Sequence, residues 1–106
     1  MILLKTTFNK KGTSFNQIYK DNELAIYQLT KQCANDKNCI MTWYEIFKIK
    51  IHKQDKYHTD EYEMYPYDEA FGTFAWSCQN LESLFKILKR EFPNHKVDVN
   101  TLKFTG

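Results

Sequence analysis

The chain has 106 residues, of which 42% are hydrophobic and 16% aromatic, enough to form the core of one folded domain. Its 15 basic and 13 acidic residues leave a net charge of +2, and Arg90 is the only Arg. Lys lacks the planar donor fork with which Arg reads guanine and phosphate, so this composition excludes a typical sequence-specific DNA reader. It leaves room only for weak, salt-sensitive contact with a nucleic-acid backbone.

Apolar runs are short, so the sequence predicts neither a signal peptide nor a membrane helix. Three Cys residues are an odd number, which predicts a reducing, cytoplasmic setting rather than a disulfide framework. No repeat, biased tract or linker divides the chain, and we therefore predict a single domain over residues 1–106.

The first half of the chain predicts β-structure. Met1–Phe8 is expected to form a short strand or a docking arm, and Asn9–Thr13 a loop. Ser14–Lys20 and Glu23–Thr30 then predict a hairpin around Asp21-Asn22, two residues that tolerate a left-handed backbone.

In that hairpin Lys20 would face Glu23, and four apolar side chains would share one face: Phe15, Tyr19, Leu24 and Ile26. The alternative is a helix capped by Asp21, with Ile26, Leu29 and Cys33 as its apolar stripe. The polar segment Ala34–Cys39 predicts a second turn in either case.

Ile40–His52 is the most regular strand pattern in the chain. One face is almost wholly apolar, and the other changes from Ile40, Tyr44 and Ile46 to Lys48 and the basic residues after it. We therefore expect its first half to lie centrally in a sheet and its second half to leave the core on one side.

The second half predicts two further strands and one helix. Glu61–Tyr65 can pair back with the preceding strand and ends at Pro66, and Phe71–Ser77 is a strand in which Gly72 marks a bulge or a close backbone approach. Leu81–Phe92 has a helical apolar stripe, Asn80 as its N-cap and Pro93 after its end. The tail, Lys96–Phe104, could add an edge strand.

These elements predict an α+β fold, in which an antiparallel meander of about four to five strands packs against one main α-helix near the C-terminus. A meander of this size also leaves open a homodimer through an unpaired strand edge.

No pattern of a catalytic, metal or cofactor site is present. The three Cys and three His residues lack the paired spacing of a zinc site, and three glycines cannot form a phosphate-binding loop. Cys78, close to the predicted helix N-terminus, is the one thiol whose pKa the helix dipole would lower. The acidic group Asp60, Glu61, Glu63, Asp68 and Glu69 is interpreted as a solvated edge.

Two features remain as candidate partner-binding elements, a basic strand end and a tyrosine cluster. Alternation would bury Tyr62 or Met64 and expose Tyr65 or Tyr67, and tyrosine is well suited to interfaces because it combines a large area with a polar tip. The predicted partner-binding residues are Lys48, Lys50, His52, Lys53, Lys56, Tyr57, Tyr62, Tyr65 and Tyr67.

We therefore expect a small non-catalytic protein without a cofactor, which inhibits or regulates a larger protein or nucleoprotein complex. A phage- or mobile-element-type accessory protein, such as an inhibitor of a host defence nuclease, fits this short, aromatic-rich chain. The alternative is a single-stranded nucleic-acid-binding module that uses the same lysines and tyrosines.

Overall fold

The computed structural model describes residues 2–53, 56 and 60–104. It contains a five-stranded antiparallel sheet with the order β1-β2-β3-β4-β7, a separate two-stranded pair β5-β6 and one α-helix, α1. The elements are β1 Thr7–Lys10, β2 Thr13–Lys20, β3 Leu24–Gln32, β4 Ile40–Lys48, β5 Lys50–His52, β6 Tyr62–Met64, a 3-10 helix at Asp68–Ala70, β7 Ala75–Cys78 and α1 Leu81–Glu91. The predicted α+β fold, with an antiparallel sheet and a C-terminal helix, is confirmed.

Two tight turns join the first three strands. Lys11 and Gly12 both have positive φ, 51° and 80°, which matches the twist of a two-residue hairpin. The Asp21 carboxylate accepts hydrogen bonds from the backbone N–H of Glu23 and Leu24, at 2.7 and 2.9 Å, and so fixes the next turn. The residues after Asp21 form a strand and not the alternative helix.

The predicted details of this second hairpin are wrong in two respects. Lys20 pairs with Ala25 and not with Glu23, because the turn is centred one residue later than predicted, between Asp21 and Leu24, where the Asp21 N–H donates to the Leu24 carbonyl at 3.0 Å. The register of β2 also shifts between Gln17 and Tyr19, which indicates a β-bulge. Phe15 therefore lies on the opposite face of the sheet from Leu24 and Ile26, with which it was expected to pack.

The long strand predicted for Ile40–His52 is two strands. It breaks at Ile49, whose N–H donates to the Glu23 carbonyl at 2.8 Å, and β5 then pairs with β6 instead of extending the main sheet. The expected order of burial is reversed as well. Ile40 is 66% exposed at the start of β4, whereas Ile46 and Phe47 near its end are fully buried.

Apolar layers cover both faces of the sheet, and the sequence predicted only one. On one face α1 packs over a cluster whose most buried members are Ile18, Leu24, Ile26, Ile46 and Leu84. On the other face the chain between β6 and β7 packs over Phe15, Ala25, Tyr27, Leu29 and Phe47. Because β3 and β4 contribute to both clusters, they form the centre of the molecule.

The helix agrees with its prediction. The Asn80 side chain accepts a hydrogen bond from the Ser83 N–H at 2.8 Å, as an N-cap should, and Lys89 and Arg90 lie in the last turn, where the helix dipole favours cations.

The segment before β7 and the C-terminal tail differ from the structures that the sequence predicted for them. The Gly72 N–H donates to the Ala75 carbonyl at 2.7 Å, so residues before Ala75 form a turn and the strand begins four residues later than predicted. Residues 96–104 form no strand. The Asp98 side chain closes a turn there, and Leu102 is buried against the helix-side cluster.

Within the described part of the chain, no helix has the length and apolar character needed to cross a membrane. Cys33 and Cys39 form a disulfide across the loop between β3 and β4. The expectation of a reducing setting without disulfides is therefore not met by these two residues, which the β3–β4 connection brings to a Cα–Cα distance of 5.3 Å, whereas Cys78 is a free thiol.

Candidate functional site

A small cleft brings together three of the predicted partner-binding residues. Its cavity of about 230 Å³ is lined by Lys50, Met64, Tyr65, Pro66, Tyr67 and Phe74, and we call it the Tyr67 cleft. The Lys50 ammonium lies 5.1 Å from the centroid of the Phe74 ring, within the range of a cation–π contact. The Tyr67 and Phe74 rings meet edge to face at 6.4 Å, and Tyr67 is 54% exposed.

Local sequence explains why the cleft forms at this place. Proline cannot continue a β-ladder, so Pro66 directs the chain away from β6, and the 3-10 helix begins immediately after Tyr67. Gly72 adopts a φ of 92°, which non-glycine residues rarely reach, and the Phe74 N–H donates back to the Ala70 carbonyl. This compact loop places Phe74 and Tyr67 on the same side of β5.

Tyr65 is half-buried, packs against the core cluster and forms the floor of the cleft. Its ring packs within 5.5 Å of four others, those of Phe8, Phe15, Tyr27 and Phe47. Alternation was expected to expose one of two rings, Tyr65 or Tyr67. Tyr65 is half-buried, because Pro66 ends the strand and the chain folds this ring back over the sheet, and Tyr67 is the exposed one.

The hydroxyl of Tyr65 donates a hydrogen bond of 2.5 Å to the Glu45 carboxylate. Burial raises the pKa of Glu45 above its ordinary value, although this bond and Lys10 act in the opposite direction. Burial also raises the pKa of Tyr65, and the negative charge of Glu45 adds to the effect. Glu45 does not line the cleft, so this pair fastens the floor of the cleft to β4.

The other predicted residues divide into separate groups. His52 stacks on Tyr62 across the β5-β6 pair, with ring centroids 4.7 Å apart, and Lys53 lies 4.0 Å from the Glu61 carboxylate. Lys56 is exposed, and Tyr57 lies outside the described residues. The four described residues of these groups, His52, Tyr62, Lys53 and Lys56, do not line the Tyr67 cleft.

Lys48 lines a different and more open groove, together with Lys50 and residues that follow α1. This groove of about 620 Å³ carries both signs of charge, from Lys48 and Lys50 and from Glu23 and Glu91. Its His95 lies 3.4 Å from Asp21 and 3.5 Å from Glu23, and so connects the chain after α1 to the β2–β3 turn. Lys50 is shared by the groove and the Tyr67 cleft, which makes the two cavities neighbours.

Part of the predicted acidic edge has a structural role. Glu63 forms an ion pair with Lys20 at 3.2 Å and accepts a hydrogen bond from the Leu4 N–H at 2.9 Å. Its side chain is only 7% exposed. The interpretation as a solvated edge is therefore wrong for this residue, which attaches β6 to the main sheet and to the N-terminal arm.

The thiol chemistry considered for Cys78 is not supported. Cys78 is buried on β7, and burial raises the pKa of its thiol to about 11, with Glu45 adding to the effect. This direction is opposite to the lowering of the thiol pKa that was expected from the helix dipole. Within the described residues, no group of three or more His, Cys, Asp or Glu side chains is placed to hold a metal ion.

The sequence predicted Lys50, Tyr65 and Tyr67 as site residues but missed Phe74, Met64 and Pro66 as cleft residues. The sequence did contain an indication for Phe74. It follows Gly72 by two positions, and a glycine favours a turn, in which an aromatic side chain can leave the regular alternation of a strand. Comparisons with models of protein families, with curated proteins and with solved structures found no match to this chain.

Proposed function

We propose that this chain is a small, non-catalytic binding protein that attaches to a larger protein or nucleoprotein complex through the Tyr67 cleft. The observation that carries the proposal is the combination of an exposed Tyr67, the Phe74 ring and the Lys50 ammonium around one cavity. Aromatic residues and Met are enriched in protein interfaces, where a few anchors in well-packed pockets contribute most of the affinity.

The size and charge of the cleft define what it would receive. A cavity of about 230 Å³ accommodates one large side chain rather than a whole small-molecule ligand, since ligand pockets usually exceed about 300 Å³. Lys50 at the rim favours a partner segment in which an acidic residue neighbours this side chain. Capture would act by steric block or by holding one conformation of the partner, as an inhibitor or regulator does.

The floor of the cleft is rigid, which favours binding. The Tyr65 ring is packed against four aromatic rings and its hydroxyl is held by Glu45, so little side-chain freedom would be lost on association. A role in a phage or mobile element belongs to the same proposal and rests on the short, aromatic-rich chain. A cytoplasmic partner belongs to it as well, although the Cys count no longer supports that setting, since Cys33 and Cys39 are paired.

A site-specific photo-crosslinker tests the proposal in cells of the source organism. We expect p-benzoylphenylalanine at position 67 to give a discrete crosslinked partner, and the matched position Val99 to give none. The two sites are equally accessible, with Tyr67 54% and Val99 56% exposed. The K50A and Y67A variants should reduce co-purification of that partner, whereas V99A should not. Equal crosslinking from both positions would contradict the proposal.

One observation favours a second candidate, single-stranded nucleic acid. A cation beside aromatic rings can contact a phosphate while a base stacks on a ring. Lys50 lines one cleft with the exposed Tyr67 and the half-buried Phe74. Labelled oligonucleotides measured across a salt series separate the two functions. Nucleic-acid binding predicts an affinity that falls steeply with salt and with K50E, and the absence of micromolar binding at low salt would exclude it.

A further inference from the structure

The outer side of β4 is open over its first four residues. β7 pairs with β4 only from Tyr44 to Phe47, whereas β3 pairs with β4 along its whole length. In the part of the chain that the structure describes, no strand lies beside the outer side of residues 40–43. Residues 40–43 are therefore an edge of the sheet, whereas residues 44–47 of the same strand have a neighbouring strand on each side.

The free edge presents backbone hydrogen-bonding groups of known orientation. The Lys48 N–H points away from β3, since it donates to the Phe74 carbonyl at 2.9 Å, and alternate residues of an antiparallel strand point the same way. The N–H and C=O groups of Ile40 and Thr42 must therefore point outward, on the side where β7 has ended. Two residues offer four groups that a further strand could pair.

The side chains of the segment are unusual for an exposed edge. Natural proteins protect edges with charged residues, proline or coverage, and Ile40, Met41, Thr42 and Trp43 provide no charge and no proline. Ile40 is 66% and Met41 47% exposed, on opposite faces of the strand. The opposite edge of the sheet, β1, ends in the charged Lys10.

We propose that this edge joins a second copy of the chain, so that β4 pairs antiparallel with β4 of the partner about a two-fold axis at Met41. Ile40 of each copy would then face Thr42 of the other, and the two Met41 side chains would meet at the axis. This register pairs outward-pointing groups with outward-pointing groups, as an antiparallel ladder requires.

The same register also keeps each paired segment clear of β7, which occupies the outer side of β4 from Tyr44 onward in both copies. Pairing centred on Thr42 would place Ile40 opposite Tyr44 of the partner, where β7 already lies. Centred on Met41, the paired segment ends before β7 is reached in both copies. The segment is thus complementary to itself, and this favours a second copy over an unrelated strand as its occupant. The contact is short, so a dimer in the micromolar range or weaker is expected.

Sedimentation equilibrium of the full chain, over the micromolar to millimolar range, tests the dimer. T42P removes one outward N–H from each copy and leaves the β3–β4 ladder intact, so it should raise the dissociation constant about tenfold or more. T42V keeps the N–H and should leave the constant unchanged. Circular dichroism and the melting temperature of each variant verify that the fold is retained.

A charge pair at position 41 identifies the axis. M41K and M41E should each be monomeric, because like charges would meet at the two-fold axis, and an equimolar mixture should form a heterodimer. A wild-type chain that stays monomeric to millimolar concentration would overturn the proposal. So would a dimer that T42P does not weaken, or a mixture of the two charged variants that does not associate.

Discussion

At the scale of single residues, the pair formed by Glu45 and Tyr65 connects the core to the candidate site. Glu45 lies on the face of β4 that carries Trp43 and Phe47, where an apolar side chain would be expected. Its burial is compensated by the hydroxyl of Tyr65, which reaches it from beyond Pro66. In the sequence, a polar Glu45 on an apolar face indicated that this side chain needs a hydrogen-bond partner. The partner, Tyr65, could not be identified because it lies 20 residues away in the chain.

The raised pKa of Glu45 leads to a prediction about pH. An acid whose pKa is higher in the folded than in the unfolded chain binds more protons when folded, so its contribution to stability falls as pH rises from 4.5 through the raised value. E45Q keeps an acceptor for Tyr65 and cannot ionise. We expect the free energy of unfolding of the wild type, relative to E45Q, to decrease with rising pH across that interval.

Urea denaturation at a series of pH values measures this difference. E69Q is the matched control, since it removes an exposed acid of the 3-10 helix next to the site and leaves the Glu45–Tyr65 pair in place. Y65F, which leaves the ring and removes only its hydroxyl, should lower the free energy of unfolding by about 1 kcal/mol, because it leaves a half-buried carboxylate without its donor. Parallel pH profiles for the wild type and E45Q would show that the raised pKa is wrong.

At the scale of elements, periodicity was sufficient for α1 and for the existence of most strands. The helix has its full stripe and its cap within twelve residues, so no distant contact is needed to define it. The strand pattern at Ile40–His52 gave the right secondary structure but missed the break at Ile49. That break depends on the Glu23 carbonyl, to which the Ile49 N–H donates, and on the β5-β6 pairing.

The bulge in β2 shows why faces were harder to predict than strands. A one-residue shift exchanges the two faces of everything before it, which moved Phe15 from the helix side to the aromatic side. The second layer was missed for a different reason. The sequence offered one helix and therefore one covered face, while the irregular chain after Pro66 covers the other with Tyr65, Phe71 and Phe74.

The disulfide in the β3–β4 loop provides a prediction at this scale. It closes a loop with a sequence separation of six residues, and the Cys33 N–H already donates to the Cys39 carbonyl at 2.9 Å. In the chain-entropy model, closing such a loop stabilises the folded state by about 2 kcal/mol. The double variant C33S/C39S should lose about this much in urea denaturation, whereas C78S, which removes the third Cys, should not share this entropic effect.

Alkylation before lysis relates this bond to the compartment of the protein. Disulfides persist in oxidising compartments and are rare in the cytosol, so a cytoplasmic location predicts that Cys33 and Cys39 are alkylated when cells are treated with a thiol reagent. Mass spectrometry of the intact chain counts the added groups. Resistance of both residues to the reagent would place the chain in an oxidising setting and contradict the cytoplasmic expectation.

At the scale of the whole molecule, stability should be distributed unevenly. β3 lies between β2 and β4, and its residues Leu24–Tyr27 are fully buried beneath both layers. The β5-β6 pair has three residue pairs, only partial burial and a place outside the main sheet. Local opening requires the least free energy where few buried apolar contacts must break. The β5-β6 pair should therefore open without unfolding of the main sheet.

Native-state hydrogen exchange followed by NMR measures this difference residue by residue. Amides of β3 should exchange only through global unfolding, and those of β5 and β6 at least about tenfold faster, equivalent to about 1.4 kcal/mol less protection. The boundary should fall at Tyr65, where the aromatic cluster fixes the chain to the sheet. The Tyr67 cleft would then have a stable floor and a more mobile wall at Lys50 and Met64. Equal protection of the β5-β6 pair and β3 would instead mean that the cleft opens only when the whole sheet unfolds.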